Sequence, residues 1–221
     1  MTALIALVRS MVTVMVLWQR YLAPLIPFVG LPAVLTSSDS GPLAATYGSA
    51  AGAMLVCSVR QTMALIGLED QTRRSVVIVT AGSHLRVLLG SVGTALLWCL
   101  PLTAAGPVLP PAFGKHTFTG AGAVLGVESQ LTCALIGIAI GVLCSRLVFR
   151  RQGYALVTAL ALLLAALLGK GISPVNIPLG DLQGASGSAA LVGSTGVLLT
   201  VTTAVLAATV AITQAVGVRR S

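Results

Sequence analysis

The chain has 221 residues, of which 56% are hydrophobic and 8% charged, with a formal net charge of +8. An average soluble domain is about 25% charged, and a soluble chain of this length lacks the polar surface to cover so much apolar volume. Composition therefore excludes a soluble enzyme, a disordered chain and a disulfide scaffold. Because the apolar runs are long and only 4% of residues are aromatic, we predict an all-α membrane protein rather than an outer-membrane barrel.

The first apolar stretch, residues 3–18, is interrupted by Arg9 and ends before Gln19 and Arg20. A membrane-spanning helix needs about 20 apolar residues. Spanning would also place Arg9 near the bilayer centre, at a cost of about 3 kcal/mol. We therefore predict that residues 1–20 form an interfacial helix on the cytoplasmic surface. The alternative is a seventh span.

Six further apolar segments are predicted to cross the membrane as helices within one transmembrane domain, residues 1–221. Polar, charged or Pro- and Gly-rich turns separate them, and prolines should kink the first. The connection between spans 5 and 6 is rich in Gly, Ser and Pro, which predicts a broken segment on the outer side. Spans 1 to 6 are residues 21–36, 43–59, 85–105, 120–147, 154–168 and 189–216, and the broken segment is residues 169–188.

The distribution of basic residues predicts how these spans are oriented. With a cytoplasmic N-terminus and six alternating spans, eleven of the thirteen Lys and Arg residues lie inside, and only Lys115 and Lys170 lie outside. Cytoplasmic loops of membrane proteins carry such an excess. We therefore predict that both termini are cytoplasmic. No basic run exceeds two residues, so the positive charge does not indicate a nucleic-acid partner.

The residue patterns that catalysis requires are missing. The two histidines, His84 and His116, are predicted near opposite membrane surfaces, outside the spans, and the chain contains neither H-E-x-x-H nor G-x-x-x-x-G-K-[ST]. We predict no enzymatic activity, no metal site and no ATP hydrolysis by this chain. No cysteine pair has C-x-x-C spacing, which favours small buried packing residues. The cysteines are Cys57, Cys99, Cys133 and Cys144.

Residues 69–74 form the most polar segment of the chain. Glu69 and Asp70 are each followed four residues later by an arginine, Arg73 and Arg74. Because an acid four residues before a base stabilises a helix, we predict a short charged helix on the cytoplasmic face between spans 2 and 3. A soluble partner bound to such a helix would push on two spans at once. The alternative is an ordinary solvated loop.

Glu128 is the only acid well inside a predicted span. It lies about 12 Å from Gly120 at 1.5 Å per residue, where a carboxylate is costly unless protonated, paired or hydrated. We predict a substrate-path or gating residue. The alternatives are a structural acid bonded to a neighbouring helix and a span that starts later. Span 2 is expected to continue as a helix past Arg60 towards Leu68. Arg60, near this cytoplasmic helix end, is expected to extend to the headgroups.

Three pairs of glycines have the G-x-x-x-G spacing that lets membrane helices approach closely. We expect these pairs to pack inside the bundle rather than at a dimer seam. The pairs are Gly48 with Gly52, Gly122 with Gly126, and Gly137 with Gly141.

Several of these features follow one another in a characteristic order. An apolar N-terminal helix leads through Gln19-Arg20 into a Pro-rich first span. A Leu-Glu-Asp…Arg-Arg segment precedes the Arg-Val-Leu-Leu-Gly start of span 3, and a broken outer segment lies between spans 5 and 6. Together these features resemble the permease subunit of a type-2 ABC exporter in its small, six-span bacterial form.

The resemblance implies that the chain forms a substrate pathway as a dimer, with a second copy or a homologous permease, in a bacterial inner membrane. It implies separate ATP-binding cassette subunits, which would bind ATP and Mg²⁺, and no cofactor in this chain. The family's elbow helix maps onto residues 1–20, its outer re-entrant helices onto residues 169–188, and its coupling helix onto residues 68–82, within a cytoplasmic segment at 68–84. The residues that would contact the ATPase subunit are Glu69, Asp70, Arg73 and Arg74.

Two other functions fit the same sequence. One is the six-span substrate-binding module of an energy-coupling importer, which would bind its ligand as a lone chain. The other is a membrane assembly protein without a pathway.

Overall fold

The structure, a computed structural model, describes residues 2–17, 22–37, 43–68, 84–107, 120–145, 152–168 and 188–219. All the regular secondary structure in these ranges is α-helical, which confirms the predicted all-α class. The helices are α1 (Thr2–Leu17), α2 (Leu22–Ser37), α3 (Leu43–Leu68), α4 (His84–Ala105), α5 (Gly120–Leu143), α6 (Gln152–Leu168) and α7 (Ser188–Arg219).

Four of these helices, α3, α4, α5 and α7, are long and apolar enough to cross a bilayer. Helices α2 and α6 are apolar but shorter, at 16 and 17 residues. The protein is therefore a membrane-embedded helical bundle. That six helices cross the membrane stays a prediction. Where the structure describes their side chains, the apolar stretches of these four helices are Gly48–Gly67, Leu85–Ala105, Gly126–Leu143 and Val197–Ala215.

Helices α3 and α5 form the centre of the bundle, and two glycines of α5 set their separation. A Cβ added at Gly137 would lie 2.7 Å from the carbonyl oxygen of Leu55, and one added at Gly141 would lie 2.7 Å from the Cβ of Thr62. Real Cβ atoms do not approach so closely, so glycine lets the two helices touch through their backbones. The predicted packing of this G-x-x-x-G pair inside the bundle is confirmed.

The same contacts fix the relative directions of the central helices. Successive glycines of α5 meet successive turns of α3, so these two helices run the same way. Gly106, just after α4, meets Gln130 in the first half of α5. The shared direction of α3 and α5 agrees with the alternating path predicted for spans 2 and 4.

Hydroxyl groups inside the bundle bond to their own helices. On α7, which packs against α5, Thr202, Thr209 and Thr213 are buried. Each donates to a backbone carbonyl oxygen three or four residues earlier, at 2.7 to 3.0 Å. Such bonds satisfy a polar group in lipid without a partner on another helix. The same pattern holds for Ser58, Thr62, Ser91, Thr94 and Ser129.

Helix α1 packs one apolar face against α4. The Thr94 hydroxyl donates to the Met11 sulfur at 3.9 Å, and Met15 is fully buried. Arg9 and Thr13 are exposed. The helix is therefore amphipathic, and its location at the cytoplasmic surface stays a prediction.

Candidate functional site

The residues predicted to contact an ATPase subunit lie outside the described residues. Their segment, residues 69–83, follows Leu68 at the end of α3 and precedes His84 at the start of α4. The predicted outer segment also falls outside the described ranges, apart from its last residue. The four predicted contact residues are Glu69, Asp70, Arg73 and Arg74.

Helix α3 connects that segment to the middle of the bundle. It packs against α2, α4, α5 and α6, and every residue from 53 to 59 except Val56 is buried. A displacement at the end of α3 would reach α5 through the glycine contacts, because close-packed helices have little free volume to absorb it.

Glu128 lies in the first half of α5, about 12 Å along the helix from its start at Gly120 at 1.5 Å per residue. The residue is half-buried, and its backbone carbonyl accepts a hydrogen bond from the Thr132 hydroxyl at 2.8 Å. Its role in a substrate path stays a prediction.

Gln130, two residues further along, was not singled out by the sequence analysis. It is fully buried, and neither its Oε1 nor its Nε2 has a hydrogen-bond partner among the described residues. Its carboxamide lies against Gly106, where an added Cβ would overlap it. In the sequence, Gln130 is marked only by the polar run Glu128-Ser129-Gln130. No sequence pattern shows that its side chain faces the end of another helix.

We expect Gln130→Leu to leave the protein as stable as the parent, or more stable by about 1–3 kcal/mol. The variant removes an unpaired buried amide, whose desolvation costs that much, and nearly preserves the side-chain volume. Thermal unfolding in mild detergent measures the effect. Gly106→Ala is the matched control and should lower stability, because its methyl group displaces the carboxamide. A clear loss of stability in Gln130→Leu would mean that the amide has a partner in the folded protein.

Cys144, immediately after α5, is the thiol nearest the end of the bundle. All four cysteines are free and buried, so their predicted burial is confirmed. In the parts of the chain that the structure describes, no three His, Cys, Asp or Glu side chains form a metal-ligand group.

No family model, no curated protein and no solved structure matches this chain. The class of protein that the structure defines is a membrane-embedded helical bundle.

Proposed function

We propose that this chain is the membrane-spanning permease subunit of an ABC exporter. Two permeases enclose the pathway, and separate ATPase subunits bind through residues 68–82. One observation carries the proposal: the ionic segment at 69–83 joins α3, the helix packed at the centre of the bundle, to α4.

This connection supplies a route for mechanical coupling. Closure of the ATPase subunits displaces the segment and with it the adjoining ends of α3 and α4. Helix α3 transmits the displacement to α5 through the contacts at Gly137 and Gly141. No layer of side chains separates the two helices at these glycines, so the helices move together. The central helices then move as one body against the rest of the assembly, as in hinge and shear motions of other proteins.

The six-span topology is part of the same proposal. Helix α6 has 17 residues, which is about 26 Å and slightly less than the hydrocarbon thickness. Leu160 and Leu164 in its middle are exposed, and such apolar side chains are more favourable in contact with lipid than with water. A short helix is accommodated by local thinning of the bilayer. With α2 crossing as well, both termini lie in the cytoplasm of a bacterial cell and the bundle lies in its inner membrane.

Co-purification in mild detergent tests the proposal. We expect a tagged chain to retain a soluble ATP-binding cassette subunit at one ATPase per permease, in a complex with two copies of each. A chain that purifies alone and binds a small ligand tightly would instead match the importer module. A chain that purifies alone and binds no ligand would match the assembly protein. Either result would contradict the exporter assignment.

A further inference from the structure

One side of α3 stays open along the helix although its other sides are packed. The open positions recur every three or four residues, and each is half-buried or exposed. A Cβ added at Gly52 or at Gly67 would meet nothing within 4 Å. We call this side the α3 groove, and it consists of Gly52, Val56, Arg60, Met63 and Gly67.

Helix α6 borders the groove. Val56 and Met63 pack partly against an apolar cluster that includes Ala159 and Leu163 of α6. The wall on this side is therefore apolar, and Arg60 is the only charged residue in the groove.

Arg60 lies inside α3 rather than at its end. The helix runs over Leu43–Leu68 and carries apolar residues on both sides of Arg60. Arg60 is about 12 Å from the Leu68 end and about 7 Å from the middle of the helix, at 1.5 Å per residue. Its side chain is exposed, so it reaches the surface of the chain well inside a helix that is long enough to cross the bilayer.

No carboxylate of the described helices neutralises this guanidinium. Among those helices the only acidic residue is Glu128. Because Gly137 and Gly141 pack beside Ser58 and Thr62, Arg60 is level with residue 139 of α5. Glu128 is then about 16 Å away along the helix axis at 1.5 Å per residue, too far for an ion pair.

An arginine that faces lipid inside a membrane-spanning helix is costly, and charged residues in spans normally face a water-filled cavity or a partner charge. We propose that the α3 groove is a wall of a water-filled pathway and that Arg60 binds the anionic group of an amphiphilic substrate. The apolar body of the substrate lies along Val56 and Met63. The terms pathway and substrate rest on the proposed function, whereas the binding site itself requires no ATPase.

Binding of a fluorescent acid tests the charge contact. The protein is placed in nanodiscs of zwitterionic phosphatidylcholine and titrated with 11-(dansylamino)undecanoate and with its methyl ester. We expect the acid to bind roughly tenfold more tightly than the ester, because one charge-assisted hydrogen bond changes the affinity by about this factor. Arg60→Gln should remove that preference and Arg60→Lys should keep most of it. Arg86→Gln, at an exposed arginine near the start of α4, is the control and should bind like the parent.

Water access is the second test and does not depend on any ligand. We expect Gly52→Cys and Arg60→Cys to react with a charged, membrane-impermeant thiol reagent in nanodiscs, because the groove holds water. The native cysteines are buried and give a low background. Leu160→Cys, exposed on α6, is the lipid-facing control and should stay unlabelled.

The proposal is overturned if Arg60→Gln keeps the preference for the acid, or if the two groove variants are as inert as Leu160→Cys. Neither test includes nucleotide or an ATPase subunit. A failure here would therefore leave the exporter assignment standing. Failure to recover an ATPase by co-purification would, in turn, leave the anion site standing.

Discussion

Gly137→Ala is expected to lower the free energy of unfolding by about 1–3 kcal/mol, the usual cost of overpacking a close contact. The added methyl group would lie 2.7 Å from the Leu55 carbonyl oxygen. Because that oxygen belongs to the backbone of α3, the two helices must separate to admit the methyl group. Unfolding of the purified protein by heat or by SDS, followed by fluorescence, measures the change.

Gly52→Ala is the matched control for this substitution. Gly52 also lies within a crossing helix, but a Cβ there meets nothing within 4 Å. Alanine should therefore be neutral or stabilising by about 0.5–1 kcal/mol, because glycine costs more backbone entropy in a helix. Equal effects of the two substitutions would contradict the α3–α5 packing and, with it, the relative depths derived from that packing.

Charge reversal in the coupling segment is expected to abolish stimulation of the partner ATPase while the permease still inserts and folds. The variant carries Glu69→Lys, Asp70→Lys, Arg73→Glu and Arg74→Glu together. It keeps opposite charges four residues apart, in the less favourable order of base before acid, so the short helix predicted there retains part of its internal pairing. The pattern presented to the partner is inverted, and like charges across an interface cost several kcal/mol. ATPase activity and subunit ratio of the purified complex are the measurements.

The double variant Arg150→Glu with Arg151→Glu is the control for charge reversal elsewhere. These residues lie in another loop predicted to be cytoplasmic. We expect this double variant to assemble and to stimulate ATPase activity like the parent. Normal assembly and ATPase stimulation in the four-residue variant would mean that residues 69–74 are an ordinary solvated loop.

The helical class and the positions of the long helices follow from the sequence because lipid imposes a simple requirement. The bilayer core contains no water, so the chain must form its backbone hydrogen bonds internally there. Long apolar runs therefore become helices. The close packing at Gly137 and Gly141 was also predictable, because only small residues allow backbones to touch. Gly52 has the same spacing to Gly48 and yet is open, since spacing does not tell which side of a helix has a neighbour.

The candidate site was less predictable for the same reason. The predicted continuation of the helix past Arg60 to Leu68 is confirmed. That Arg60 lies on the open side of α3 does not follow from the sequence. The contact between Gln130 and Gly106 joins two helices that are distant in sequence, and no local pattern encodes it.

Site-specific photocrosslinking in intact cells tests the central claim most directly. A photoreactive amino acid replaces Asp70 or Arg73, and the product is identified by mass spectrometry. The account predicts a crosslink to a soluble protein that carries an ATP-binding cassette, formed from these two positions and not from Leu160. The absence of a crosslink to a nucleotide-binding protein, or crosslinks only to proteins on the outer side of the inner membrane, would contradict it.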